Sequence, residues 1–157
     1  MNRKYFLIIA KLGLVGILTI GAGGCGWAKN FGPGSSPALN AIYPLPVGYS
    51  IIFDETYADQ GSSNTRTRIV ALSSNEASST AAAISTEITN LETKHWKLDS
   101  PNAPISPDKS ICALLFSPAE ALHELTNIPQ TMSVRSDLRL AIIRSRSPSF
   151  VIGMVLC

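Results

Sequence analysis

The first 53 residues contain no aspartate or glutamate; the acids begin at Asp54. Charge is scarce throughout, at 15% of residues, and the formal net charge is only +2. That balance excludes the basic footprint on which non-specific nucleic-acid binding depends. An apolar fraction of 45% excludes a chain held open by its own charge. Histidine is rarer still, with His95 and His123 alone. His123 follows Glu120 at the spacing of one half of a Glu-x-x-His metal pair, but a site needs further ligands converging on the ion. Asp54, Glu55 and Asp59 lack the regular spacing and the glycine of a calcium loop. There is no Gly-x-Ser-x-Gly elbow, no Ser-x-x-Lys followed by its companion motifs, and no phosphate loop ending in Gly-Lys-Ser/Thr. No metal or cofactor is expected. A small extracytoplasmic hydrolase or metal-dependent enzyme is the alternative to a main reading without catalysis. At 157 residues the chain has room for one modest domain with a real core, and not for a large multidomain enzyme.

What is present begins with an address. Arg3 and Lys4 precede the greasy stretch Tyr5 to Ala10, and beyond a lone Lys11 come the apolar run Leu12 to Ile20 and the small residues Gly21-Ala22-Gly23-Gly24 before Cys25. Positive residues, a short apolar core and tiny residues before a boundary are the three parts of an export signal. The apolar run after Lys11, or Tyr5 to Ile20 if Lys11 is tolerated inside it, falls short of the roughly 20 residues a membrane crossing needs, which makes an uncleaved signal anchor or a buried apolar helix with an incidental cysteine the alternative. The string Ala22-Gly23-Gly24-Cys25 resembles the lipobox of bacterial lipoproteins, with Ala where that family usually carries Leu. The resemblance implies that Cys25 receives diacylglycerol, that residues 1–24 are removed, and that the protein sits lipid-anchored on the extracytoplasmic face of a bacterial membrane. Two acyl chains are the condition for stable attachment.

Processing changes the charge. Arg3, Lys4 and Lys11 leave with the signal, and ten basic side chains then face eleven acidic ones. The cysteines follow the same logic. With Cys25 lipidated, Cys112 and Cys157 are the remaining pair in a compartment that permits disulfides; two small buried hydrophobes that never meet are the other outcome.

Residues 25–47, rich in Pro and Gly, read as the lipidated cysteine and a flexible tether, with Ile42 and Tyr43 expected to pack on the domain. Residues 48–157 read as a single α+β domain. A strand over 48–57 and a second over 65–72 form a hairpin across the turn-rich Asp59 to Asn64. Ala77, Ala81, Ile84, Ile88 and Leu91 make one helical stripe, with Ser73 and Glu76 placed as a capping box. Trp96 and Leu98 are expected to close that helix over the core, and the prolines at 101, 104 and 107 mark a surface loop. Ile111 to Phe116 reads as a strand covered on both faces. Ser117-Pro118-Ala119-Glu120 starts a short helix that ends before Pro129. Leu138 to Arg144 and Phe150 to Cys157 read as the last two strands. The expected architecture is a small two-layer sandwich, a mostly antiparallel sheet with one long and one short helix. By pattern alone the body loosely resembles small lipoproteins of Gram-positive actinobacteria, a likeness that carries over no catalytic residue.

The residues with most binding content are Arg135, Arg139, Arg144 and Arg146, interrupted by Asp137 as the single acid. Guanidinium groups at this density suit a headgroup phosphate or an acidic envelope polymer. Solubilising side chains paired with acids elsewhere are the ordinary alternative. The expected role is a non-catalytic binding or accessory module at the cell surface, with membrane lipid and a protein or anionic envelope component as partners.

Overall fold

The computed structural model describes residues 38–58, 66–126 and 132–157. Cys25, the segments before Ala38 and the Asp59 to Asn64 turn lie outside the described residues. A one-turn helix α1 (Leu39–Ile42) precedes β1 (Tyr49–Ala58) and β2 (Arg66–Ser74). Helix α2 (Thr80–Thr93) is followed by β3 (Lys97–Ser100), β4 (Ala103–Ile105) and β5 (Ile111–Phe116). Helices α3 (Pro118–Thr126) and α4 (Met132–Ser145) then lead into β6 (Ser149–Leu156). The strands make one antiparallel sheet in the order β1-β2-β6-β5-β4-β3.

Alternation along β2 decides what lies on each side. Val70 and Leu72 point into one core with Phe150, Ile152, Met154, Leu115 and Ala113, roofed by α1 and α2 through Leu39, Tyr43, Ala83 and Leu91. Ile69 and Ala71 point the other way with Val151 and Phe53, roofed by α3 and α4 through Ala121, Leu125 and Leu138. The α+β class and the antiparallel sheet are as the sequence predicts. The layering differs, because helices cover both faces and two of them are long.

The second long helix replaces an expected strand. Leu138 to Arg144 is helical within α4, and its buried or half-buried residues Val134, Leu138, Ala141 and Ile142 recur with helical, not alternating, spacing. Leu140 and Ile143 fall outside that stripe, and Leu140 with Leu138 and Ile142 supplies the strand-like alternation. A second difference lies at residues 99–108, where β3 and β4 form a hairpin that pairs Leu98 with Pro104. Pro104 lies on β4, between β3 and β5, where the register pair with β5 is Ile105 with Cys112, so the proline stands outside that ladder.

Local chemistry explains the boundaries. Ser79, not Ser73, caps α2, accepting from the Ala82 amide at 3.1 Å. Ser74 instead accepts from the amides of Glu76 and Ala77 in the preceding turn. At the other end the Trp96 amide donates to the Leu91 carbonyl and the His95 amide to Glu92, both at 3.0 Å. This is the paired closure of a Schellman motif, with His95 in the left-handed conformation at φ 65° where glycine is usual. Trp96 is thereby folded onto the core that holds Leu91. The Ser117 amide donates to the Glu120 carboxylate and the Glu120 amide to Ser117 Oγ, completing the capping box of α3.

A bulge between Ile51 and Phe53 shifts the register of β1 against β2. It turns both Ile52 and Phe53 toward the α3/α4 core. Cys112 on β5 is bonded to Cys157, just past the end of β6, with Cα atoms 5.4 Å apart. On the chain-entropy account, closing a loop of that length contributes about 4 kcal/mol.

His95 carries a side chain where the backbone favours none. His95→Gly is expected to raise stability by about 1 kcal/mol, read as a higher denaturant midpoint at unchanged slope; a lower midpoint counts against the closure described here.

Candidate functional site

Two arrangements carry chemistry, one on each side of the sheet. On the α4 side the four arginines are distributed along one helix and just past its end. Arg135, Arg139 and Arg144 are exposed along α4, and Arg146 is exposed just beyond its end at φ 55°. None of them joins an ion pair among the described residues. They do not lie on strand faces, as the strand reading required, but around a helix. With Leu138 buried beneath, Leu140 and Ile143 stand on the outer crest, 48% and 63% exposed. Arg139 and Arg144 flank that crest by about 70° on either side, from the helical repeat. Asp137 is exposed on the Arg144 side. Guanidinium groups left in water keep their donors available, and exposed Leu and Ile beside them add apolar contact.

A fifth arginine shows the contrast. Arg68 is 4% exposed and meets Asp54 through Nε and Nη2 at 2.6 and 2.5 Å. The two are diagonal neighbours across the β1–β2 register, on the face the bulge assigns to Asp54. This planar two-point contact is structural.

On the α2 side a carboxylate lies inside the core. Glu87 is fully buried, in line with Ala83 and Leu91 at four-residue spacing. Its Oε2 accepts from Asn90 Nδ2 at 3.3 Å, and Asn90 also donates to the Pro44 carbonyl at 3.0 Å. Its Oε1 and the Tyr43 hydroxyl are both buried without a well-formed hydrogen bond. Burial pushes the Glu87 carboxyl up to about 7, with Tyr43 and Asn90 pulling in the opposite direction. Burial and the facing Glu87 likewise push the Tyr43 hydroxyl well above its usual value. The Tyr43 ring packs edge-on against Trp96 at 5.4 Å.

Other candidates go to structural duties. His95 ends α2, Glu120 caps α3, and His123 is exposed on α3. Among the described residues no group of three or more His, Cys, Asp or Glu is placed to hold a metal. Asp108 lies in a tight turn, where donors from Ser106 and Ser110 hold its carboxyl below the usual range. No helix among the described residues is long and apolar enough to cross a membrane.

Glu87 was the functional-grade residue missed from sequence. The signal was present: a four-residue spacing runs Ala83, Glu87, Leu91, and the stripe drawn through Ala81, Ile84 and Ile88 sits one step to its side. The chain matches no protein-family model, no curated protein and no solved structure.

The two kinds of arginine should respond oppositely to mutation. Arg139→Ala with Arg144→Ala is expected to change stability by no more than about 0.5 kcal/mol. Asp54→Ala, which takes the two-point carboxylate contact from the buried Arg68, is expected to cost about 2 kcal/mol or more. Chemical denaturation of both variants checks this, and equal effects would overturn the division.

Proposed function

We propose that this protein is a lipid-anchored envelope protein, held by diacylated Cys25 on the extracytoplasmic face of a bacterial membrane, that works as a non-catalytic binding or accessory module. The observation that carries this reading is the run Ala22-Gly23-Gly24-Cys25 behind a short apolar segment flanked by Arg3, Lys4 and Lys11. The bond between Cys112 and Cys157 fits it, since such bonds persist where thiols are not kept reduced. The α4 surface supplies the recognition element. Its ligand is an anionic, phosphate-bearing envelope component, met by Arg135, Arg139, Arg144 and Arg146 with Leu140 and Ile143 between them.

Attachment is tested by Cys25→Ala, which should abolish metabolic lipid labelling and leave a precursor larger by the signal; normal processing of that variant defeats the anchor. Recognition is tested with residues 26–157 and vesicles of phosphatidylglycerol at low salt. At about 1 kcal/mol per arginine near an anionic surface, Arg139→Ala with Arg144→Ala should weaken binding by tenfold or more. Unchanged binding removes the α4 surface from the proposal while leaving the anchor intact.

A further inference from the structure

The junction between tether and domain is built around the buried carboxyl. Residues 38–46 lie over α2, with Leu39 and Tyr43 inside the core and Ile42 and Leu45 packed at its margin. One hydrogen bond fastens this strap, Asn90 Nδ2 to the Pro44 carbonyl, and beneath it the Tyr43 hydroxyl and Glu87 Oε1 are both buried without a hydrogen-bond partner. Apolar burial alone would hold the strap under any condition. A carboxyl under it makes the hold conditional, because burial strips the ionised form of water, a loss that Tyr43 and Asn90 offset only in part, whereas the neutral acid bears it easily.

Among the described residues Glu87 joins no ion pair. The groups that act on Glu87 are Tyr43 from the strap and Asn90 from α2. The strands beneath contribute Val70, Leu72, Phe150 and Ile152, all apolar. From β1 comes Tyr49, whose hydroxyl is already engaged by the Ala83 carbonyl at 3.2 Å.

We infer that residues 38–46 are a proton-controlled strap: closed on α2 while Glu87 is neutral, and released when Glu87 gives up its proton. The direction follows from linkage. In the closed state the proton is held up to about 7, while in an open state Glu87 meets water and returns to its ordinary value of 4.5. The strap is therefore tightest below about 4.5, loosens as pH rises from there to about 7, and reaches its loosest level above 7.

The consequence for the anchored protein, which rests on the Cys25 reading, is a change of leash. With the strap closed, the path from Cys25 to Ala38 spans at most about 45 Å. Release up to Gly48 adds about 35 Å. A domain in an acidic surrounding is held short, and one at neutral pH ranges further.

Hydrogen exchange on the mature chain tests the strap directly. The reporters are the Ala41 and Tyr43 amides, which donate to the Ala38 and Leu39 carbonyls. After correction for intrinsic chemistry, their opening should rise roughly fifty-fold between pH 5 and pH 7.5, while amides of β2 and β6 hold steady. In Glu87→Gln the rise should vanish. Tyr43→Phe removes a group that holds the Glu87 proton affinity down, so it should move the plateau to higher pH. It also decides the matter if Glu87→Gln fails to fold. A flat wild-type profile, an equal rise in the sheet, a rise surviving in Glu87→Gln, or an unmoved plateau in Tyr43→Phe overturns the inference. None of these outcomes bears on lipid labelling of Cys25, so the strap and the anchor fail separately.

Discussion

The structure depends on the pairing of β2 with β6 at the centre of the sheet. Neither strand has a wet face. Val70, Leu72, Phe150 and Ile152 are dry on one side, and Ile69, Ala71 and Val151 are dry on the other. A slip of one residue between these strands would exchange the two sets and pass Arg68 into the wrong core. Helices on both faces are the necessary response to a central pair that cannot meet water, and that necessity explains why two layers were not enough.

How much of this could be read in advance varies with how local the signal is. The strands at 48–57, 65–72, 111–116 and 150–157 were legible because alternation and continuous apolar runs are properties of the strand itself. So was the α3 start, whose capping box is written in four consecutive residues. Helix α4 was not, because Leu138, Leu140 and Ile142 alternate as a strand would, and only the second core shows that Val134, Leu138 and Ala141 form the buried stripe. The β3–β4 hairpin was hidden by prolines that ordinarily mark loops. For the site, the arginines could be counted but not arranged. Their helical placement turns a list into a crest with two flanks. Glu87 was obscured by its identity, since a glutamate in a helix is assigned to solvent unless something reveals the strap above it.

Charge in this small domain falls into three regimes set by water. Arg68 is buried and matched by Asp54 across the register, which makes it part of the fold. The α4 arginines stay in water and carry no structural obligation. Glu87 is buried and unmatched, so its charge is the quantity that varies. The weak net charge of the whole chain conceals this separation, because it sums over side chains whose environments have little in common.

The sheet also acts as a partition. The strap and its carboxyl belong to one core, the arginine crest to the other, and between them stands the paired backbone of β2 and β6, with Val70, Leu72, Phe150 and Ile152 on one face and Ile69, Ala71 and Val151 on the other. In the proposed strap, a proton gained or lost at Glu87 acts on residues 38–46, on the face of the sheet opposite α4. Under the proposed anchor and strap, grip and range are set on opposite faces of the sheet: acidity acts on how far the domain travels, and the α4 surface lies on the other side.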